Sequence, residues 1–258
     1  MEILNTLFIL CPLVFIAGFV DAIAGGGGLI AFPAYMWAGI PMHSIYGCNK
    51  FQSAMGTSMA VFRYGKNNVL DRKISLLSAA SAVIFSAIGT KIIIVLPETL
   101  ITKAVSILLP LIALTMLITP KEKPHSITRA DINKKTFLLS AAAGMLIGLY
   151  DSMFGPGGGT IGMLIFIKLF KYDYKTATAN IKIVILASNI AALAGYIISG
   201  NINYAIAIPA AACNMLGSYI GSGVAIKHGK KIIRPLASTV IAVILVKYGV
   251  IPVVSSII

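Results

Sequence analysis

The sequence predicts an all-α polytopic membrane protein, and three observations carry that reading. Of 258 residues, 58% are hydrophobic and 11% charged, with a mean hydropathy of +0.92. A soluble domain carries about 25% charged residues, so this chain could not clothe a water-facing surface. Its apolar residues fall into a succession of runs near bilayer length, and its Lys and Arg gather in the breaks between them.

The runs lie at 3–23, 28–41, 45–64, 74–96, 99–119, 136–154, 158–170, 176–198, 202–226 and 231–248. A helix rises 1.5 Å per residue, so crossing a hydrocarbon core of about 30 Å takes about 20 residues. Eight runs meet that length. The segments 28–41 and 158–170 do not, and each directly follows a glycine cluster. They are expected to be half-helices of two re-entrant or broken hairpins, which a membrane tolerates where protein buries them or water reaches them. The first run lacks a basic leader and is read as a retained helix.

The cations orient the chain. Arg63, Lys66, Arg72 and Lys73 share one break; Lys121, Lys123, Arg129, Lys134 and Lys135 another; Lys168, Lys171 and Lys175 a third; Lys227, Lys230, Lys231 and Arg234 a fourth. Counting runs in order puts all four on one face, the cytoplasmic one by the positive-inside rule, with both termini outside. The net charge of +13 therefore reports topology in a bacterial or archaeal cytoplasmic membrane. Nucleic-acid modules instead cluster their cations on one face among aromatics, and no nucleic-acid partner is expected. Cys11, Cys48 and Cys213 form no CxxC pair, so neither a disulfide framework nor a zinc site is indicated.

An internal repeat is visible. Gly18, Asp21, Gly25, Gly27 and Gly28 recur as Gly148, Asp151, Gly155, Gly157 and Gly158, each 130 residues later, and Asn49-Lys50 is echoed by Asn180-x-Lys182. One transmembrane domain, 1–258, is thus expected to comprise a first repeat at 1–119, a cytoplasmic linker at 120–135 and a second repeat at 136–258. Five runs per half make the second half enter from the opposite side, so the repeats are inverted. Inverted repeats with broken helices at matching positions are a recurring transporter plan.

The candidate site residues are the polar groups that a membrane makes costly. A charge within a span costs about 2.5–3.5 kcal/mol on insertion scales. Lys91, Lys103 and Lys247 sit toward helix ends, where snorkelling accounts for them. Lys50 and Lys182 hold related places early in long helices, each near an Asn; substrate binding or gating is weighed there against an interfacial anchor or a structural ion pair. Asp21 and Asp151 precede the glycine clusters. Capping of the broken backbone is preferred for them over proton coupling, and pairing with Lys50 or Lys182 is left open.

The clusters Gly25, Gly26, Gly27, Gly28 and Gly155-Pro156-Gly157-Gly158-Gly159 permit positive φ and close backbone approach. Each then opens a short helix whose free N–H groups and dipole favour an anion. Tight packing is the competing explanation, and it is preferred for Gly144/Gly148 and Gly217/Gly221. Gln52, Ser53, Asn189 and Asn214 add neutral hydrogen-bonding groups within apolar helices. No Gly-Lys-Ser/Thr follows either cluster, the histidines lack metal spacing, and no catalytic constellation can be assembled. No enzyme activity, metal or cofactor is therefore expected.

At these residues the sequence resembles the TauE/SafE sulfite exporter family, also called the TSUP permeases. The resemblance rests on the Gly-rich elements after Asp21 and Asp151, on Gly47-Cys48-Asn49-Lys50-Phe51-Gln52, and on Ala179-Asn180-Ile181-Lys182 with Ala187-Ser188-Asn189. It looks most like the family's bacterial permeases of unassigned substrate that share a Gly-Thr-Asn-Lys-Leu-Gln-type element, with Cys48 and Phe51 departing from it. The resemblance spans nearly the whole chain. It implies outward movement of sulfite, thiosulfate or organosulfonates without a cofactor.

The expected function is accordingly a secondary transporter, an exporter of such anions, working by alternating access. An anion channel, or a permease for an unrelated small organic anion, is the alternative. The expected substrate contacts are Gly25–Gly28, Asn49, Lys50, Gln52, Gly157–Gly159, Asn180, Lys182 and Asn189. Asp21 and Asp151 serve structure or coupling. The lipid bilayer is a partner, and a homodimer is allowed for.

Overall fold

A computed structural model describes residues 2–67, 69–117 and 133–228. All the regular structure in them is α-helical: α1 (Glu2–Ala24), α2 (Gly28–Trp37), α3 (Met42–Lys66), α4 (Arg72–Val95), α5 (Glu98–Leu117), α6 (Lys134–Met153), α7 (Gly158–Phe170), α8 (Tyr174–Ile198) and α9 (Tyr204–His228). The expected run 231–248 and most of the linker lie outside the described residues. The protein is an all-α polytopic membrane protein. α1, α4, α6, α8 and α9 are long and apolar enough to cross a bilayer. α3 and α5, with 25 and 20 residues, have spanning length too.

α2 and α7, with 10 and 13 residues, are the two short helices. α2 stops four residues before the expected end at 41. Gly39, at φ +69°, turns the chain and returns its N–H to Met36, and Pro41 then caps α3. Local chemistry sets other boundaries. The side chains of Asn133 and Asp173 accept from Thr136 N and Thr176 N, each at 2.8 Å, and so start α6 and α8.

The packing has a regular plan. α1 lies against α9 as α6 lies against α4; α3 meets α9 as α8 meets α4; α3 and α8 meet each other in the middle. Exchanging α1–α4 with α6–α9 turns this set of contacts into itself. Small residues permit the approach. A Cβ added to Gly148 would stand 2.5 Å from Ala82 O, one on Gly144 2.0 Å from Ser78 O, and one on Gly217 2.0 Å from Phe15 O. Packing is thus the role of Gly144/Gly148 and Gly217/Gly221, as the sequence suggests. Large apolar side chains face outward, among them Phe8, Val95 and Ile198, where lipid would cover them.

Candidate functional site

The site forms where the two helix breaks meet. At the first, Gly25 adopts φ +77° and returns its N–H to Asp21 O at 2.8 Å, which closes α1. At the second, the corresponding Gly155 adopts φ +73°. The repeat is imperfect one step on: Gly157 is left-handed, whereas Gly27 is ordinary helical backbone at φ −57°. The breaks touch directly. A Cβ on Gly28 would lie 2.8 Å from Pro156 Cα, and Thr160 Oγ1 donates to Ala24 O at 2.9 Å.

Two ion pairs with buried lysines cross between the halves. Lys50 of α3 donates to Asp151 Oδ2 of α6 at 2.7 Å, and Lys182 of α8 donates to Asp21 Oδ2 of α1 at 2.6 Å. The lysine side chains are 1% and 0% exposed. Lys50 uses all three of its protons, adding Asp151 O at 2.7 Å and Asn189 Oδ1 at 3.0 Å. Asp151 Oδ2 also accepts from Ser188 Oγ at 2.7 Å, and Ser86 Oγ in turn donates to Ser188 O at 2.7 Å. Of the functions weighed for Lys50 and Lys182, the ion pair is therefore the one visible in the geometry.

The carboxylates also address the half-helices. Gly27 N donates to Asp21 Oδ1 at 3.4 Å, and a Cβ on Gly158 would stand 2.8 Å from Asp151 Oδ1. The sequence reading offers these N-termini and both lysines to an external anion. In this conformation internal carboxylates pair with both lysines. Asp21 accepts from Gly27 N and from Lys182 at once, because a carboxylate has enough lone pairs to take a backbone N–H and an ammonium together; Asp151 pairs with Lys50 and lies against Gly158.

A cavity of about 20 Å³ adjoins these pairs, lined by Asp21, Lys50 and Asp151 with Gly25, Gly28, Asn49, Gly155, Gly159 and Asn189. A water molecule needs about 10–15 Å³, so the space suits a single water. Ser53, Thr57 and Ile185 complete the lining. Sequence reasoning left Thr57 and Ile185 unnamed and counted Ser53 only among the neutral hydrogen-bonding groups of apolar helices. Yet Asn49, Ser53 and Thr57 recur at i, i+4 and i+8 on one face of α3, a signal that was there to read.

Other candidates sit elsewhere. Gln52 is fully buried beside the lining, donating to Asn49 Oδ1 at 3.1 Å and accepting from Tyr35 Oη at 3.0 Å. Gly26, Gly27, Gly157 and Gly158 shape the breaks without lining the cavity, and Lys182 stands behind Asp21. Asn180 lies apart from the cavity: its Oδ1 accepts from Asp71 N at 2.8 Å and Ser75 Oγ at 2.6 Å, while its Nδ2 donates to Thr176 O. It thus ties the start of α4 to α8. Tyr172, from the α7–α8 turn, donates to Asp71 Oδ2 at 2.8 Å. Burial and that carboxylate push its phenol well above the ordinary value, so it stays a donor. This network was not foreseen, since the equivalence of Asn49 and Asn180 suggested one shared role.

One further matched pair differs. Tyr64 and Tyr196 stand 132 residues apart, the spacing of Lys50 and Lys182. Tyr64 Oη donates to Ala22 O at 2.8 Å at the first break. The Tyr196 hydroxyl is buried with no hydrogen-bond partner among the described residues. Among the described residues no three His, Cys, Asp or Glu side chains gather as a metal site would require.

Comparison with known proteins agrees with this architecture. The sequence profile of the sulfite exporter TauE/SafE family matches residues 10–248. The chain is 33% identical over 230 residues to "Probable membrane transporter protein ORF9" of Sinorhizobium sp., covering 86% of this chain and 84% of that protein. It is 31% identical over 257 residues to "Probable membrane transporter protein YfcA" of Escherichia coli K12, covering 96% and 94%. It is 31% identical over 237 residues to a "Probable membrane transporter protein" of Haemophilus influenzae, covering 90% of each. No solved structure matches it with significance. On this profile match and these relatives, the chain belongs to the TauE/SafE sulfite exporter family and is a multi-pass membrane transporter.

Proposed function

We propose that this transporter is a secondary carrier that exports small anions, of the sulfite, thiosulfate or organosulfonate class, across the cytoplasmic membrane by alternating access of two inverted repeats, 1–119 and 136–258. The observation that carries the reading is the crossed pairing of Lys50 with Asp151 and of Lys182 with Asp21 around one polar cavity. A charge in a span is costly, and four at the meeting of two helix breaks are best explained by a charged substrate. The exchange symmetry of the helix contacts supports two halves that move against each other. A cavity with room for a single water fits an occluded carrier better than an open pore.

The substrate contacts in this reading are the lining groups: Lys50, Asn49 and Asn189, the backbone at Gly25, Gly28 and Gly159, and the hydroxyls of Ser53 and Thr57. Both termini face outward, with the Lys- and Arg-rich loops inside. Purified protein in liposomes should mediate saturable flux of sulfite, thiosulfate or an organosulfonate, accelerated by the same anion on the far side. Absence of flux for all three would overturn the substrate class. Single-channel currents would overturn the carrier reading. Cysteines placed within 121–135 should react with impermeant reagents only from the cytoplasm.

A further inference from the structure

We infer that the coupling ion is the proton, and that Asp21 carries it: an anion enters as Asp21 is protonated, and Lys182 passes from the carboxylate to the substrate. The inference rests on the reading of this chain as an anion carrier.

The argument begins with charge. Asp21, Asp151, Lys50 and Lys182 sum to zero, and the first three line the cavity. An anion entering that space meets two carboxylate walls and leaves a net negative charge among buried groups. At low effective dielectric such an imbalance is costly. Protonating one carboxylate removes it. For a monoanion, one proton on Asp21 restores neutrality.

Geometry chooses between the two aspartates. The Asp151 side chain is 6% exposed, and its Oδ2 accepts from both Lys50 and Ser188 at 2.7 Å. The Asp21 side chain is 23% exposed; it holds Lys182 at 2.6 Å and a long contact of 3.4 Å from Gly27 N. Asp21 is therefore the carboxylate that water reaches and whose second bond is the weaker. Around it stand Lys182 from α8, Lys50 and Tyr64 from α3, with Tyr174 beside Tyr64, and Asp151 from α6 across the cavity. The neighbouring faces of α7 and α9 bring Gly159, Thr160, Asn214 and Ser218, which are neutral.

Protonation turns Asp21 from an acceptor into a donor. The Lys182 ammonium, fully buried, then lacks a counter-charge. An anion in the cavity beside Asp21 supplies one, and it also meets the N-terminus of α2 that Asp21 had capped. The proton stays on Asp21 Oδ and leaves with the anion on the far side, which returns the carboxylate to Lys182. No bond other than O–H is made or broken.

The test uses purified full-length protein in liposomes, with the membrane potential clamped by potassium and an ionophore. Methanesulfonate and thiosulfate serve as probes, because both keep their charge from about pH 5 to 8 while carboxylates respond to their surroundings. With wild-type protein, a gradient of about one pH unit should accumulate methanesulfonate about tenfold toward the alkaline side, since one proton moves per charge. D21N, which mimics the protonated form, should exchange anion for anion but lose accumulation, and D21E should restore the pH response. D151N, whatever its rate, should keep it; that arm decides the assignment should D21N fail to fold. Flux indifferent to the gradient in wild type overturns the coupling and leaves the anion-carrier reading standing. Loss of pH response in D151N, or its retention in D21N, overturns the assignment to Asp21. No flux of either probe overturns both the coupling and the carrier reading.

Discussion

Gly25 and Gly159 meet backbone to backbone. A Cβ built on Gly25 would lie 2.4 Å from the Gly159 carbonyl carbon, and one built on Gly159 would lie 2.7 Å from Gly25 Cα. The contact joins the first break to the first turn of α7, so the separation of the two halves at the cavity is set by hydrogen atoms where any other residue has carbon. Gly25→Ala should therefore lower the melting temperature in detergent well beyond Gly39→Ala. Gly39 shares the positive φ of Gly25, +69° against +77°, but a Cβ there would meet no described atom within 4 Å. The control should cost only the left-handed strain of about 1–2 kcal/mol, whereas Gly25→Ala adds a backbone clash worth about 1–3 kcal/mol or more. Equal shifts would show that the halves are not in contact at this point.

The buried pairs predict an asymmetric response to removing a lysine. Taking away one partner of a buried ion pair costs about 3–5 kcal/mol, because the other charge is stranded. Lys50→Met strands Asp151, which is sealed, and also leaves Asn189 without its donor. Lys182→Met strands Asp21, which water reaches. Thermal unfolding should therefore penalise Lys50→Met more, and Asp151→Asn in the same chain should recover part of the loss. A double-mutant cycle with no coupling between positions 50 and 151 would contradict the geometry.

Asn180 and Asn189 should separate stability from binding. Asn180→Ala frees Asp71 N, a buried polar group costing about 1–3 kcal/mol when unpaired, while Ser75 Oγ keeps Asp71 O at 2.8 Å. It should destabilise the fold without changing the apparent KM for the anion. Asn189→Ala, at the cavity wall beside Lys50, should raise that KM instead. The reverse pattern in flux and melting assays would place the substrate on the α4 side of α8.

Removing a hydroxyl from Tyr64 and from Tyr196 should have opposite signs. Tyr64→Phe loses the bond to Ala22 O and should cost about 1 kcal/mol. Tyr196→Phe deletes a buried hydroxyl with no partner among the described residues, so the melting temperature should hold or rise. A fall for Tyr196→Phe as large as that for Tyr64→Phe would mean its oxygen is satisfied.

Much of this was legible in the sequence because apolar length and loop charge act locally. Segments 28–41 and 158–170 declare themselves too short to span, and the 130-residue echo of Gly18, Asp21 and Gly25 places two breaks in register. What was not legible is which charge meets which. Asp21 lies nearer Lys50 in the chain, yet pairs with Lys182, because α3 and α8 pack together in the middle and each presents its lysine to the other half's break. Spacing within a repeat says nothing about such an exchange. Asn180 shows the converse error: it echoes Asn49 in sequence, but its contacts are those of a helix start, created by Asp71 and Ser75 arriving from α4.

The crossed pairing has a consequence for how the chain is made. While only the first half has left the ribosome, Asp21 and Lys50 sit in the membrane with neither Lys182 nor Asp151 yet synthesised. Each is an unpaired charge costing about 2.5–3.5 kcal/mol on insertion scales, and the glycine break beside Asp21 has no second break to press against. The early spans should then linger beside the insertion machinery or the lipid interface until α6 and α8 arrive. Cut at the linker into two polypeptides, neither half should persist alone, and co-expression should rescue both.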